Sequence, residues 1–173
     1  MAYRTKTYLA GDWTGDKNAI DQLHKWNDSN YWSLSFTDAH DLTQSSDSSL
    51  NCSIKQSLGY RMDLSKTFVL IVGDNTNNLR AGSCSYCNYY SALYGCSKGW
   101  SKGLKSYIEY ECDKAVRDGL NIIVLYNKTY VAKSLCPDVL KDRGVHAAMQ
   151  KRENGQLYWD YQSVKAALDK AAK

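Results

Sequence analysis

Two stretches, Thr67–Val72 (TFVLIV) and Asn121–Tyr126 (NIIVLY), constrain the fold of this chain more than anything else in it. Runs this apolar, bounded by polar residues and only about six residues long, are what central parallel strands look like when helices cover both faces of the sheet. Between them the sequence predicts a long loop, Gly73 to about Lys105, and a helix from Ser106 to about Asp118 with Gly119 as its C-terminal stop. The same alternation starts earlier. Thr5–Ala10 is β-prone, Gly11–Asp16 is rich in turn residues with Asp16 as a helix N-cap, and Ile20, Leu23 and Trp26 then recur at helical spacing. Tyr31–Phe36 reads as a second strand and Thr37–Ser49 as a polar loop. Leu50, Ile54 and Leu58 mark a helix over Leu50–Arg61, capped by Asp47 or a neighbouring serine. In the last third, Val145–Met149 reads as an edge strand, Asn154-Gly155 as a turn, and Asp160 as the cap of a helix carrying Val164, Ala167 and Leu168. Strands alternating with helices imply a three-layer α/β fold with a mainly parallel sheet.

At 173 residues the expectation is a single domain, 1–173, with the long Cys-containing loop at about 73–105 as its one irregular segment. The net charge of +4 is spread without a basic block, which argues against a dedicated nucleic-acid binder. No apolar run approaches the ~20 residues of a membrane span, and Met1–Trp13 lacks a signal-peptide core. The expectation is therefore a soluble cytoplasmic protein whose six cysteines are reduced thiols, with neither nucleic acid nor membrane as partner. Fourteen tyrosines and five tryptophans against two phenylalanines favour half-buried clefts and contact surfaces, because these large rings carry a polar edge.

Ligands of open parallel sheets bind where the loops leave the carboxyl ends of the strands. A pocket there is expected to be lined by Gly11, Asp12 and Trp13 after the first strand and by Ser35, Phe36 and Asp38 after the second. Gly11 permits close backbone approach, while Trp13 offers either a stacking face or a hydrophobic lid over the first helix. On the helix after the long loop, Ser106 and Glu109 have the spacing of a capping box, which gives Glu109 a structural task. Glu111 has no such task. Periodicity places both glutamates at the edges of the arc of Ile108, Cys112, Ala115 and Val116, so Glu111 is expected to be partly exposed.

Three segments together, TYLAGDWTGDKNAIDQLHKW, TFVLIVGDNT and SYIEYECDKAVRDGLNIIVLY, resemble the TIR-like domain family of the Thoeris antiphage systems, the ThsB-like group, from about residue 4 to about residue 126. The most specific parts are the strand-Gly-x-x-Thr segment ending in Thr76 and the helix motif in which the aromatic Tyr107 precedes Glu111 by four residues. The aromatic is more often Trp in that family, and Gly11-Asp12-Trp13 replaces a Ser-Phe-His type segment, whereas Asp16 matches the family's acidic residue. The resemblance implies a flavodoxin-like α/β/α fold and an enzyme that cleaves the nicotinamide–ribose bond of NAD with Glu111 as catalytic residue. NAD is then a substrate, no cofactor is needed, and Tyr107 joins the pocket residues. It further implies a cyclic ADP-ribose-type signal reaching a separate effector, and possible self-association. Two other classes fit the same residues: a non-catalytic sensing or scaffolding module, and an enzyme akin to nucleoside deoxyribosyltransferases.

Cys84 and Cys87 form a CxxC with Cys96 beyond it, a weak zinc pattern without an evident fourth ligand, so no stoichiometric metal is expected. His24, His40 and His146 are isolated and lack a nucleophile motif; only His40 falls in a candidate site loop.

Overall fold

The computed structural model describes residues 4–32, 34, 36–37, 50–98 and 103–172. In chain order the elements are β1 (Lys6–Ala10), α1 (Lys17–Asn27), α2 (Asn51–Asp63), β2 (Ser65–Val72), the short strands β3 (Tyr90–Ser91) and β4 (Gly95–Cys96), α3 (Tyr107–Arg117), β5 (Asn121–Tyr126), β6 (Val145–Ala148), β7 (Gln150–Glu153), β8 (Gln156–Trp159) and α4 (Tyr161–Ala171). Four strands form a parallel sheet in the order β1-β2-β5-β6, with the two apolar runs side by side at its centre, Phe68 opposite Ile122 and Val72 opposite Tyr126. This is a flavodoxin-like α/β arrangement with helices on both faces.

Period-two alternation sends each strand's side chains to two cores. Tyr8, Phe68, Leu70, Val124 and Tyr126 pack with Leu58 and Met62 of α2 and with Ile108, Cys112 and Ala115 of α3. Leu9, Val69, Ile71, Ile123 and Leu125 face the other way, onto Ile20, Leu23 and Trp26 of α1 and Val164 and Ala167 of α4. At roughly 1.5–3 kcal/mol for each fully buried large aliphatic side chain, β2 and β5, which are apolar on both faces, gain most at the middle of the sheet.

The expected strand at Tyr31–Phe36 does not form in its described residues: Tyr31 and Trp32 lie in a turn, and Leu34 and Phe36 are irregular. Local side chains occupy the backbone groups that a ladder would use. Ser29 Oγ accepts from the N–H groups of Tyr31 and Trp32, and the Asn27 side-chain amide bonds both the N–H and the C=O of Phe36 at 2.9 Å. Thr7 N–H still donates to the Thr37 carbonyl at 2.8 Å.

Helix α2 runs to Asp63 and starts from Leu50, whose side chain caps nothing; Asp47 and its serines lie outside the described residues. Asp16 sits at the N-cap of α1 without capping it, because its carboxylate turns inward. The long loop contains 3-10 turns at Thr76–Asn78 and Cys84–Tyr86 and the β3–β4 hairpin, so it is a small accessory element. Near the C-terminus, the Asn154-Gly155 turn joins the β7–β8 hairpin, β6 is the outer strand beside β5, and Asp160 caps α4 through Ser163 N–H at 3.1 Å. Among the described residues no helix is long and apolar enough to cross a membrane.

Candidate active site

The site is organised by the start of α3. Ser106 Oγ accepts from Glu109 N–H at 3.2 Å while the Glu109 carboxylate accepts from Ser106 N–H at 2.7 Å, completing the capping box. That leaves Glu109 on the outside of the first turn. Glu111 is turned inward, and here the expectation of partial exposure is corrected: only 4% of the residue is accessible. The reason was present in the spacing, since Ile108, Glu111, Cys112 and Ala115 fall at i, i+3, i+4 and i+7, one continuous buried stripe.

The buried carboxylate receives a hydrogen bond from the Tyr8 hydroxyl, contributed by β1. Tyr8 is itself fully buried and stacked on Phe68 with ring centroids 6.0 Å apart, which fixes the phenol. Desolvation pushes the Glu111 carboxyl up to about 7, against the opposing effects of the Tyr8 hydrogen bond and the nearby Arg61 charge. Glu111 therefore changes charge near neutrality. Its neighbour Cys112 is held protonated by burial.

Glu111 forms part of the wall of a mainly apolar pocket of about 280 Å³ at the carboxyl end of the sheet. Gly11, Asp12, Trp13 and Tyr107 line it with Glu111, as the sequence suggests, together with Ile54 and Leu58 of α2 and Leu79 and Ala81 of the long loop. The last four were missed, because nothing in the spacing of a loop says that it folds back over the sheet. Gly11 packs on β2, where a Cβ would stand 3.3 Å from Ile71 Cβ. Asp12 shapes its own loop: its carboxylate accepts from Thr14 N–H at 3.0 Å and its carbonyl from Asp16 N–H at 2.7 Å. Trp13 stands at the rim, 42% exposed.

Phe36 does not join the pocket. It packs on the opposite face of the sheet, with His24 at 6.4 Å, because the strand meant to carry it is replaced by the turn described above. Ser35, Asp38 and His40 lie outside the described residues.

Beneath the site, the Gly-x-x-Thr segment closes on itself as Gly73 N–H donates to Thr76 Oγ1 at 2.9 Å. Asp16 is wedged against it, accepting from Asn127 Nδ2 at 2.9 Å, so close that a Cβ at position 73 would fall 2.1 Å from Asp16 Oδ1. Burial raises the Asp16 carboxyl as well. His146 is a structural residue: Nε2 donates to the carbonyls of Arg143 and Leu140, so Nδ1 accepts from the Tyr126 hydroxyl at 2.8 Å.

A larger cavity of about 350 Å³ adjoins the first across Leu79 and Ile108, but Glu111 is not part of it, and its Lys105 and Asp113 are already paired with each other. Cys84 is buried, Cys87 and Cys96 are half-buried, and among the described residues no three His, Cys, Asp or Glu side chains converge as a metal site.

A buried carboxylate beside a pocket at the carboxyl edge of a parallel sheet places the chain in the flavodoxin-like α/β class that builds ligand sites in this way. Residues 6–81 match the family model of the TIR-like domain of Thoeris protein ThsB, so this part of the chain is similar to that domain. The matched stretch runs from β1 to the start of the accessory loop and supplies Tyr8, Gly11, Asp12 and Trp13, whereas Tyr107 and Glu111 lie beyond it. Comparison with curated proteins gives no match.

Proposed function

We propose that the domain cleaves the nicotinamide–ribose bond of NAD, with Glu111 as the catalytic carboxylate, and makes a cyclic ADP-ribose-type nucleotide that a separate effector reads in antiphage defence. The observation that carries this reading is the placement of Glu111: a fixed, buried carboxylate in the wall of an apolar pocket, held by Tyr8 and flanked by Trp13 and Tyr107. When the bond from ribose C1′ to the pyridine nitrogen breaks, both electrons leave with neutral nicotinamide and the ribosyl group becomes an oxocarbenium-like cation. An ionised carboxylate in a poorly solvated pocket stabilises that developing charge more strongly than water does. Attack at C1′ by water yields ADP-ribose, and attack by a nucleophile of the same molecule yields a cyclic product; in each case the nucleophile loses its proton.

The volume near Glu111 suits a nicotinamide ribosyl group, with the rest of the dinucleotide extending past Trp13. Self-association and a downstream effector fit the Thoeris context as partners. The test is incubation of purified protein with NAD and chromatography of the products, alongside Glu111→Gln and a lysate from phage-infected cells as a source of trigger. Release of nicotinamide by the wild type alone supports the reading. Nicotinamide release that persists in Glu111→Gln refutes it, as does its absence from every sample.

A further inference from the structure

One face of α2 binds both ends of the accessory loop. Asn51 and Lys55, one helical turn apart, are its contacts. Asn51 Nδ2 donates to the Ser83 carbonyl at 3.1 Å, on the chain entering the accessory element. Lys55 is fully buried, and its ammonium donates to the carbonyls of Gly103 and Lys105, on the chain leaving it. Burial lowers the affinity of Lys55 for its proton, yet these carbonyl acceptors give the ammonium its hydrogen bonds.

Tyr107 joins the same assembly. Its hydroxyl donates to Asn51 Oδ1 at 2.9 Å, and its backbone N–H donates to the Ala81 carbonyl at 2.8 Å. Its ring lies flat against Gly82, whose φ of +91° is open to glycine and whose missing Cβ would stand 2.4 Å from the ring. One face of the ring is thus covered by the chain itself. The residues held in this way, Ala81 with Leu79 just before it, are the pocket wall opposite Glu111.

We propose that Asn51, Lys55 and Tyr107 form a clasp that sets the position of the Leu79–Ser83 wall, and that Tyr107 is a positioning residue for this wall and not a stacking platform for the substrate. The consequence for NAD rests on the function proposed above; the clasp itself does not. Because the phenol hydroxyl makes the bond to Asn51, a phenylalanine at 107 keeps the ring and loses the latch. A stacking role predicts no change on that substitution, and the clasp predicts a looser wall.

The experiment is hydrogen–deuterium exchange of peptides spanning residues 79–86 in wild type, Asn51→Ala, Tyr107→Phe and the double variant, with KM and kcat for NAD measured in parallel. Tyr107→Phe, which loses one hydrogen bond, is expected to exchange about fivefold to tenfold faster in this segment, and Asn51→Ala, which loses that bond and the one to Ser83, at least as much faster, with the double variant no faster than Asn51→Ala. KM is expected to rise by a similar factor and kcat to change less. Gly82→Ala, which drives a methyl into the ring, should loosen the same peptides by an independent route. Wild-type exchange in Asn51→Ala or Tyr107→Phe overturns the clasp whatever the activity. Faster exchange in a protein that never cleaves NAD upholds it and removes only the function proposed above.

Discussion

Replacing Glu111 with glutamine should make the protein more stable at alkaline pH. In the folded state the carboxyl is lifted from an ordinary 4.5 to about 7. Between those values the native state holds a proton that the unfolded chain has released, so stability falls as pH rises through this window, and the full cost is present above pH 7. A difference of this size corresponds to about 3 kcal/mol at pH 8.5 relative to pH 4. Glutamine never ionises, keeps the volume and offers Tyr8 the same acceptor oxygen. The variant should therefore lie within about 1 kcal/mol of wild type at pH 5 and exceed it at pH 8.5 by up to about 3 kcal/mol, or about 6–12 °C in Tm for a domain of this size. Urea titrations of both proteins at half-unit steps from pH 5 to 8.5 measure the difference directly, and other titrating groups cancel in the comparison. Parallel pH dependence in the two proteins would refute the buried, titrating carboxylate. So would a glutamine variant less stable than wild type at pH 8.5.

Other substitutions probe neighbouring parts of the site. Tyr8→Phe removes a hydrogen bond that favours the charged form of Glu111, so the acid limb of kcat/KM for the proposed NAD cleavage should move to higher pH than in the wild type; an unmoved limb would show that Tyr8 does not govern the ionisation. Glu109→Ala should lower stability by about 0.5–2 kcal/mol through loss of the capping box and spare most NAD cleavage, as read by thermal melts and nicotinamide release. Trp13→Ala, at the rim, should raise KM for NAD more than it lowers Tm, and a large fall in Tm with unchanged KM would make Trp13 a packing residue.

The layers of the fold were legible because they rest on local period. TFVLIV and NIIVLY have only one comfortable location, and the capping box at Ser106 and Glu109 declares a helix start by itself. The strand at Tyr31–Phe36 was misread because β-propensity carries no information about Ser29 and Asn27, whose side chains occupy the backbone groups of that segment. Glu111 was recognisable as a candidate from its motif but not as buried, since a carboxylate on an apolar stripe is normally counted against that stripe. Its partner Tyr8 reads in sequence as one more core aromatic, and only the crossing of β1 and α3 makes it a hydrogen-bond donor to an acid. The pocket wall from the accessory loop was illegible for a further reason: Asn51, Ser83 and Tyr107 are far apart in the chain, and no periodicity links them.

The position of β1 gives the site a weakness that the central strands do not share. Among the described residues β1 ends the sheet order β1-β2-β5-β6, and it carries Tyr8 and leads directly into Gly11, Asp12 and Trp13. Tyr8 and Glu111 are 103 residues apart in the chain, so their contact depends on β1 staying docked beside β2. Partial unfolding that peels this one strand away would strip the acid of its donor and remove the rim of the pocket together, while β2, β5 and β6 remain paired. The NAD cleavage proposed above would thus be a more sensitive gauge of local fraying than circular dichroism, and it should disappear on warming before the helices and the inner strands melt.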